Sequence, residues 1–500
     1  MKEINILWFK KDLRIVDNEA LIESLKDRDI IPIYIVEKEL WMQKTHSDRQ
    51  WQFCKECLID LRNSLKGIGQ PLIVRTGKVI DIFENISKNF NIKGIYSHQE
   101  TGDYFTFERD KEVRKWASKK KIIWKEYLQF SVFRGNLDRN SWSKKWKENM
   151  ERKLLIKPST INPVEFQIGE IPSNDYFGFK EDFCKGRLKG GRENGLKRME
   201  YFFSEKLNSY SKDISSPEKS FNSCSRLSPY ISWGCISLKE IFYKAKLNHN
   251  NNSKMLKSRL TWHCHFIQKL ESEPELEFKE FHPYFQEIRK KDNYLLQSWS
   301  EGKTGFPFID ACMRSLNFNG WINFRMRAML MSFASYNLWI PWQESGTELA
   351  RKFIDYEPGI HWNQCQMQSG TTSININRIY NPIKQGKDHD PKCIFIKKWV
   401  PEIRNYPENF IHEPWLMEKF NKEVYTKSEY IKPIVDILLT TRIARKKIQE
   451  IKQKEGYLDI SKQIYLKHGS RKKLAKKRAH NPKKINKKEK ELQYELKLDL

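Results

Sequence analysis

"FPFIDACMRSLNFNGWINFRMRAMLMSFASYNLWI" (residues 306–340) carries apolar side chains at the three- and four-residue spacing of buried or amphipathic helices. It holds no alternating run that would read as a strand. The same periodicity extends over about 195–430, with "RLTWHCHFIQKLE" (259–271) as a second instance. This half of the chain therefore reads as all-helical.

The first 130 residues read differently. Short apolar runs recur at "INILWF" (4–9), "IIPIYIV" (30–36), "PLIVRTG" (71–77), "IKGIYSH" (92–98) and "KIIWKEYL" (121–128). Amphipathic stretches such as "EALIESLKD" (19–27) and "WQFCKECLIDLRNSLKGIG" (51–69) separate them. Strands alternating with helices at this spacing indicate a parallel sheet covered on both faces. No GxGxxG follows a strand, so a dinucleotide is not indicated in this half. The expected fold class is an α/β, Rossmann-like parallel-sheet domain over 1–130 and an all-α domain over 196–430. Residues 131–195, with "STINPVEFQIGEIPSNDYFGF" (159–179), read as a linker. Residues 431–500, with "RKKLAKKRAHNPKKINKKEK" (471–490), read as a basic, flexible tail able to touch nucleic acid or simply to be solvated.

Charge narrows the function classes. Lys and Arg number 91 against 63 Asp and Glu, a formal net charge of +28. Such an excess favours polyanions, above all nucleic acid, although a Lys-, Asn- and Ile-rich composition produces the same balance. The nine Cys are not spaced as a disulfide framework, and the one CxxC, Cys54 to Cys57, lies in a helical run. No apolar run of eighteen residues suggests a membrane span, and "MKEINILWF" enters a strand directly, so a cytoplasmic monomer is expected.

Five words then occur in order in the helical half: "SRLSPYISWGCIS" (225–237), "WSEGKTGFPFIDACMR" (299–314), "GWINFRMRAML" (320–330), "RIYNP" (378–382) and "FIKKWVPEI" (395–403). With "ILWFKKDLRIVDNEAL" (6–21) they resemble the photolyase/cryptochrome family over residues 4–417. The resemblance implies an N-terminal domain that often holds an antenna chromophore and a helical domain that holds FAD. Family photolyases use blue light and reduced FAD to split pyrimidine dimers in DNA; cryptochromes use the same pocket for photosensing.

The family's motifs carry residue roles onto this chain. Ser225, Leu227 and Ser228 fall at the phosphate-binding motif, and Tyr210 at a cofactor-contacting Tyr. Read alone, Ser225 is a helix N-cap. Arg327 and Asp355 match an ion pair beside the flavin, Glu357 a second carboxylate, and His361 the position facing flavin N5, where a His would titrate near neutral pH. Trp299 and Trp342 match the outer and middle members of an electron-carrying Trp chain. The inner position falls near Asn363 or Cys365, with Trp362 and Trp339 as candidates for a rerouted path.

Trp262 matches a Trp that packs on the dimer, but Arg259 stands where a Glu is usual, and Phe324 and Ala328 where Asn and Met are usual. The His pair of (6-4) enzymes is missing from that helix. Arg325, Arg378 and Lys384 match the DNA-binding rim. Glu100, at the end of a predicted strand, marks the place for a folate or deazaflavin antenna, or for an empty pocket. The Cys spacing does not suit an iron–sulfur cluster. The expectation is light-driven repair of cyclobutane pyrimidine dimers in DNA; the alternative is a cryptochrome-type photoreceptor.

Overall fold

A computed structural model describes residues 1–135, 138–374 and 378–469. Five strands, β1 (Glu3–Phe9), β2 (Ile30–Val36), β3 (Ile73–Thr76), β4 (Asn91–His98) and β5 (Ile123–Tyr127), form one parallel sheet in the order β3-β2-β1-β4-β5. The central strand shows why the apolar runs are continuous. Leu7 and Phe9 enter the core on one face, and Ile4, Ile6 and Trp8 enter the core on the other. A strand covered on both faces has no polar side to show. The strand order reverses direction between β1 and β4, so their C-terminal ends frame a crevice, the usual ligand position in such sheets.

The segment 131–195 does more than connect. The helix Trp142–Glu151 buries Trp142, Trp146 and Met150. Beyond it the chain runs along the sheet domain, with Ile161 N–H donating to Ile68 O and Val74 N–H to Ile168 O.

The stretch 306–340 folds as two helices, Pro307–Asn319 and Phe324–Ser332, followed by a π-helical turn, Phe333–Asn337. Gly320 separates the helices at φ 65°, and a Cβ there would meet Ile354 at 2.8 Å. Asn323 restarts the chain as a helix by accepting the Met326 N–H. The 22-residue helix Asn251–Ser272 and the helix Pro358–Ser369 pack side by side at the centre of this domain.

The C-terminal region corrects one expectation. Residues 431–469 do not trail away: the helix Ile437–Lys452 buries Ala444, Ile448 and Ile451, and the helix Tyr457–His468 adds Tyr457 and Ile464. Its charges lie on the outer face of a helix whose apolar stripe has a helical period, which composition alone conceals. The basic run 471–490 lies outside the described residues. Among the described residues, all nine Cys are free and buried, no His, Cys, Asp and Glu group is arranged to hold a metal ion, and no helix is long and apolar enough to cross a membrane.

Candidate functional site

Between the helices Asn251–Ser272, Phe324–Ser332 and Pro358–Ser369, several side chains stay partly exposed although the elements around them are buried. They include Arg259, Trp262, Phe324, Arg325, Arg327, Ile360 and Gln364. The turn 223–228 contributes Ser225 and Ser228.

Arg226 is the least expected residue of that turn. It sits at φ 51°, a left-handed conformation that is uncommon for a non-glycine residue. Its guanidinium is buried and lies 3.8 Å from the centroid of the Phe221 ring. Nε and Nη2 have no hydrogen-bond partner. Burial, with Arg198 nearby, lowers its pKa to about 10. A buried cation with unspent donors is costly unless an anion answers it. Ser225 is held from outside, its carbonyl accepting from Arg198 Nε at 2.8 Å. The helix that follows, Ser228–Ser232, has only five residues and starts after Leu227, which makes no side-chain cap. Its dipole is therefore a minor term, and the positive charge of this turn comes from Arg226 and Arg198.

Arg327 and Asp355 do meet, as a two-pronged pair with Nη1–Oδ1 3.1 Å and Nη2–Oδ2 2.8 Å. The Arg327 Nε donates to Ile322 O, and its guanidinium lies 4.0 Å from the Phe353 ring centroid. Glu357 does not join them. It borders a space of about 10 Å³ with Lys10, Lys11, Gln99 and Glu100 of the sheet domain. Burial, aided by Glu100 and Asp103 and opposed by Lys11, raises its pKa to about 7.

His361 departs further from expectation. Its Nε2 donates to Gly346 O at 2.8 Å, and burial lowers its pKa to about 4. It is neutral at pH 7 and its ring proton is spent on the neighbouring helix. The polar atoms left over on the helix Pro358–Ser369 belong to Asn363 and Gln364, whose Oδ1 and Nε2 are buried without partners. Gln364 shares a partly exposed face with Ile360 and Met367, at helical spacing. Sequence reasoning passed over Gln364, Arg198 and Arg226. The 360/364/367 spacing within "DYEPGIHWNQCQMQSG" was the available signal.

Two further groups complete the pocket. Tyr210 is buried near Cys224 and Arg259, and burial holds its pKa well above the ordinary phenol value. Trp262 stacks on Phe266 at 5.7 Å and meets His265 edge-on at 5.1 Å. Arg325 donates to Ser215 Oγ, and its pKa is lowered by burial and by Arg378 and Arg259. The fold thus gathers Arg259 and Arg325 from two helices and Arg378 from a loop. Among the described residues, Arg325 and Arg378 have no carboxylate partner. Lys384 is exposed on the helix Pro382–His389.

Of the expected Trp chain, Trp342 and Trp362 are packed edge-to-face at 5.7 Å. Trp299 is 0% and Trp342 1% exposed, so neither ring reaches solvent directly; Trp342 differs in bordering a cavity. A Trp at the start of a sequence motif carries no sign of depth; packing against the helix Pro307–Asn319 decides it.

Two family models match the chain: the one described as DNA photolyase over residues 5–134, and the FAD binding domain of DNA photolyase over residues 255–450. The chain belongs to the photolyase/cryptochrome family. It is 26% identical to a chloroplastic/mitochondrial cryptochrome DASH of Arabidopsis thaliana, covering 83% of this chain and 78% of the relative. It is equally 26% identical to a deoxyribodipyrimidine photo-lyase of Alkalihalophilus pseudofirmus, covering 87% and 95%. The structure matches a cryptochrome of Synechocystis with TM-score 0.81 and 23% identity over 89% of this chain and 99% of the other.

The helical half is accordingly the FAD-binding domain of this photolyase/cryptochrome chain, and its residues fit that cofactor. Arg226 offers unspent donors to a diphosphate, and Gln364 and Asn363 offer an unspent donor and acceptor to a polar ring edge. The sheet crevice is different. Glu100 is paired to Arg109 at 2.7 Å, and Arg109 also reaches Glu37 and Asp110, each at 2.8 Å. Lys10 bridges to Asp110 at 3.0 Å and lies 4.9 Å from the Trp8 ring centroid. Burial works against charge on Asp110, yet Lys10 and Arg109 hold its pKa below the usual range. One Glu100 oxygen is thus engaged by Arg109, while the side chain also lines the small space that Glu357 borders.

Proposed function

We propose that this chain is a light-driven DNA repair enzyme acting on cyclobutane pyrimidine dimers. The observation that carries this reading is the electrostatic meeting of Arg259, Arg325 and Arg378, with Arg259 one helical turn before partly exposed Trp262. Photolyases act on a base taken out of the stack, at a cost of a few kcal/mol that is least for damaged bases. Cations on the rim hold the phosphates while the dimer leaves the duplex. Trp262, backed by Phe266, presents a flat apolar surface to the flipped pyrimidines.

Within the pocket, Arg226 and Arg198 bind the diphosphate, with Ser225 and Ser228 beside them. Arg327, fixed by Asp355, keeps positive charge near the ring without having to move during the reaction. FAD held there in its reduced form would supply the light-driven electron for splitting the dimer. Arg259 stands where a carboxylate is usual, and it adds positive charge beside the developing negative charge of the dimer. Gln364 takes the polar contact at the ring edge that His361 has given up to Gly346.

The second reading, a photoreceptor without repair, is favoured by the substitutions Arg259, Phe324 and Ala328 in the lesion pocket. Purified, reduced protein is mixed with an oligonucleotide carrying one cyclobutane dimer, illuminated with blue light, and assayed for restored thymines. Multiple turnovers are expected. Tight binding of FAD with no repair of this lesion or of a (6-4) product would refute the enzyme and leave the receptor.

A further inference from the structure

Two indoles flank the helix–turn at 337–342, and the groups in direct contact with them differ in charge, although Arg289 lies near both. The Trp339 ring lies between two cations, 4.8 Å from the Arg289 guanidinium and 4.6 Å from the Lys447 ammonium. Its N–H donates to Ile288 O at 2.9 Å, and its backbone is strained at φ 55°. Cations on an aromatic face stabilise the neutral ring and oppose a positive hole on it. Trp342 instead donates its indole N–H to a carboxylate, Glu280 Oε1, at 3.2 Å, while the same oxygen accepts from Gln343 at 3.0 Å. Trp342 is in edge contact with Trp362, which lies next to His361 on the helix Pro358–Ser369. On its other side Trp342 borders a cavity of about 440 Å³, lined also by Glu280, Phe285, Arg289, Pro341 and Gln343.

We propose that Glu280 is the proton acceptor for oxidised Trp342, and that this pair, not Trp339, is the outer end of the path that delivers electrons to the flavin pocket. The proposal rests on the reading of that pocket as a light-driven flavin site. Oxidation turns the weakly acidic indole N–H into an acid comparable with a carboxylic acid, so a carboxylate already bonded to that N–H is placed to take the proton. When Trp342 gives one electron to oxidised Trp362, the Trp342 N–H bond breaks and the proton moves to Glu280. A neutral indolyl radical and a carboxylic acid remain. One electron from a small thiol or hydroquinone-type reductant in the cavity, with the proton returned by Glu280, restores the indole. The 440 Å³ space admits a molecule of that class beside the pair. Glu280 is thus a positioning and proton-holding residue that does not touch the dimer.

The test uses the FAD-loaded full chain and follows Trp radicals by transient absorption and electron paramagnetic resonance. In the wild type a neutral Trp radical is expected, formed with a solvent isotope effect and abolished by Trp342→Phe. Glu280→Gln is expected to leave a protonated radical cation that recombines at least tenfold faster, and Glu280→Asp to restore the neutral radical. Trp339→Phe is expected to change neither. In the dark, Glu280→Gln is expected to shift the ¹⁵N indole resonance of Trp342, a readout independent of any photochemistry. An unchanged neutral radical in Glu280→Gln, or a radical lost in Trp339→Phe but kept in Trp342→Phe, overturns the proposal while leaving the flavin reading intact. A wild type that forms no Trp radical at all also overturns the proposal, and the flavin reading is then judged separately by the repair assay on reduced protein.

Discussion

Replacing Arg378 and Lys384 together by Gln tests the nucleic-acid rim most directly. Neither side chain belongs to a buried ion pair; Arg378 is partly exposed and Lys384 exposed, so the fold does not depend on their charge. Each phosphate contact on duplex DNA contributes about 0.9 to the slope of log affinity against log salt. Removing two contacts lowers that slope by about 1.8. Between 50 and 200 mM salt, a fourfold change, the wild type is then expected to lose about 12-fold more affinity than the double variant. Fluorescence anisotropy with a dimer-containing duplex, measured at five or six salt concentrations in the dark, gives both slopes. The FAD content of each protein is read from its absorbance and is expected to be equal. Parallel salt lines for the two proteins would refute the rim, because contacts that release no counterions are not phosphate contacts.

The pair at the pocket's inner wall predicts a loss of cofactor. Asp355→Ala leaves Arg327 with a mostly buried charge, and breaking such a pair costs about 3 kcal/mol; weaker FAD retention on gel filtration together with easier urea unfolding is expected, and undiminished retention would count against it. Glu357, raised to about 7 by burial, binds its proton more tightly folded than unfolded, so it lowers stability as pH rises from about 4.5 through 7. Glu357→Gln is expected to raise stability above pH 7 by about 3 kcal/mol and to make no difference near pH 4, and superimposable denaturation curves at pH 8 would contradict this. His46 and His361, both lowered to about 4, act in the opposite sense. The unfolded chain takes up their protons first as pH falls below about 6.5, so stability is expected to fall steadily between 6.5 and 4, which thermal midpoints across that range will show. Glu37, Glu100 and Asp110 all pair with Arg109 beside the sheet crevice, so chromophore released from purified protein is expected to be FAD alone, and a stoichiometric folate or deazaflavin would contradict this.

Much of this was legible in advance, for reasons that differ by level. Continuous apolar runs made β1 and β2 readable as strands buried on both faces. The stretch 306–340 was readable as helix because three- and four-residue spacing survives any tertiary arrangement. Arg327 and Asp355 were paired through the family's motifs, and their geometry agrees with that pairing. His361 was read as facing the flavin because counting from Asp355 fixes a position but not a direction. His361 Nε2 is turned to Gly346 O, and Gln364 is among the polar groups with unspent capacity.

The sequence by itself determined the order of elements, the two-part architecture and the types of residue available to the pocket, since these follow from local periodicity and from motifs. Only the tertiary structure decided depth, direction and partnership. It buried Trp299, turned Glu357 toward Lys11, spent the His361 proton on Gly346, and set Glu280 against an indole 62 residues away. The physical reason is that solvation and hydrogen-bond satisfaction depend on which atoms meet in space. The same Trp carries a hole easily beside a carboxylate and poorly between two cations, and no spacing along the chain distinguishes the two.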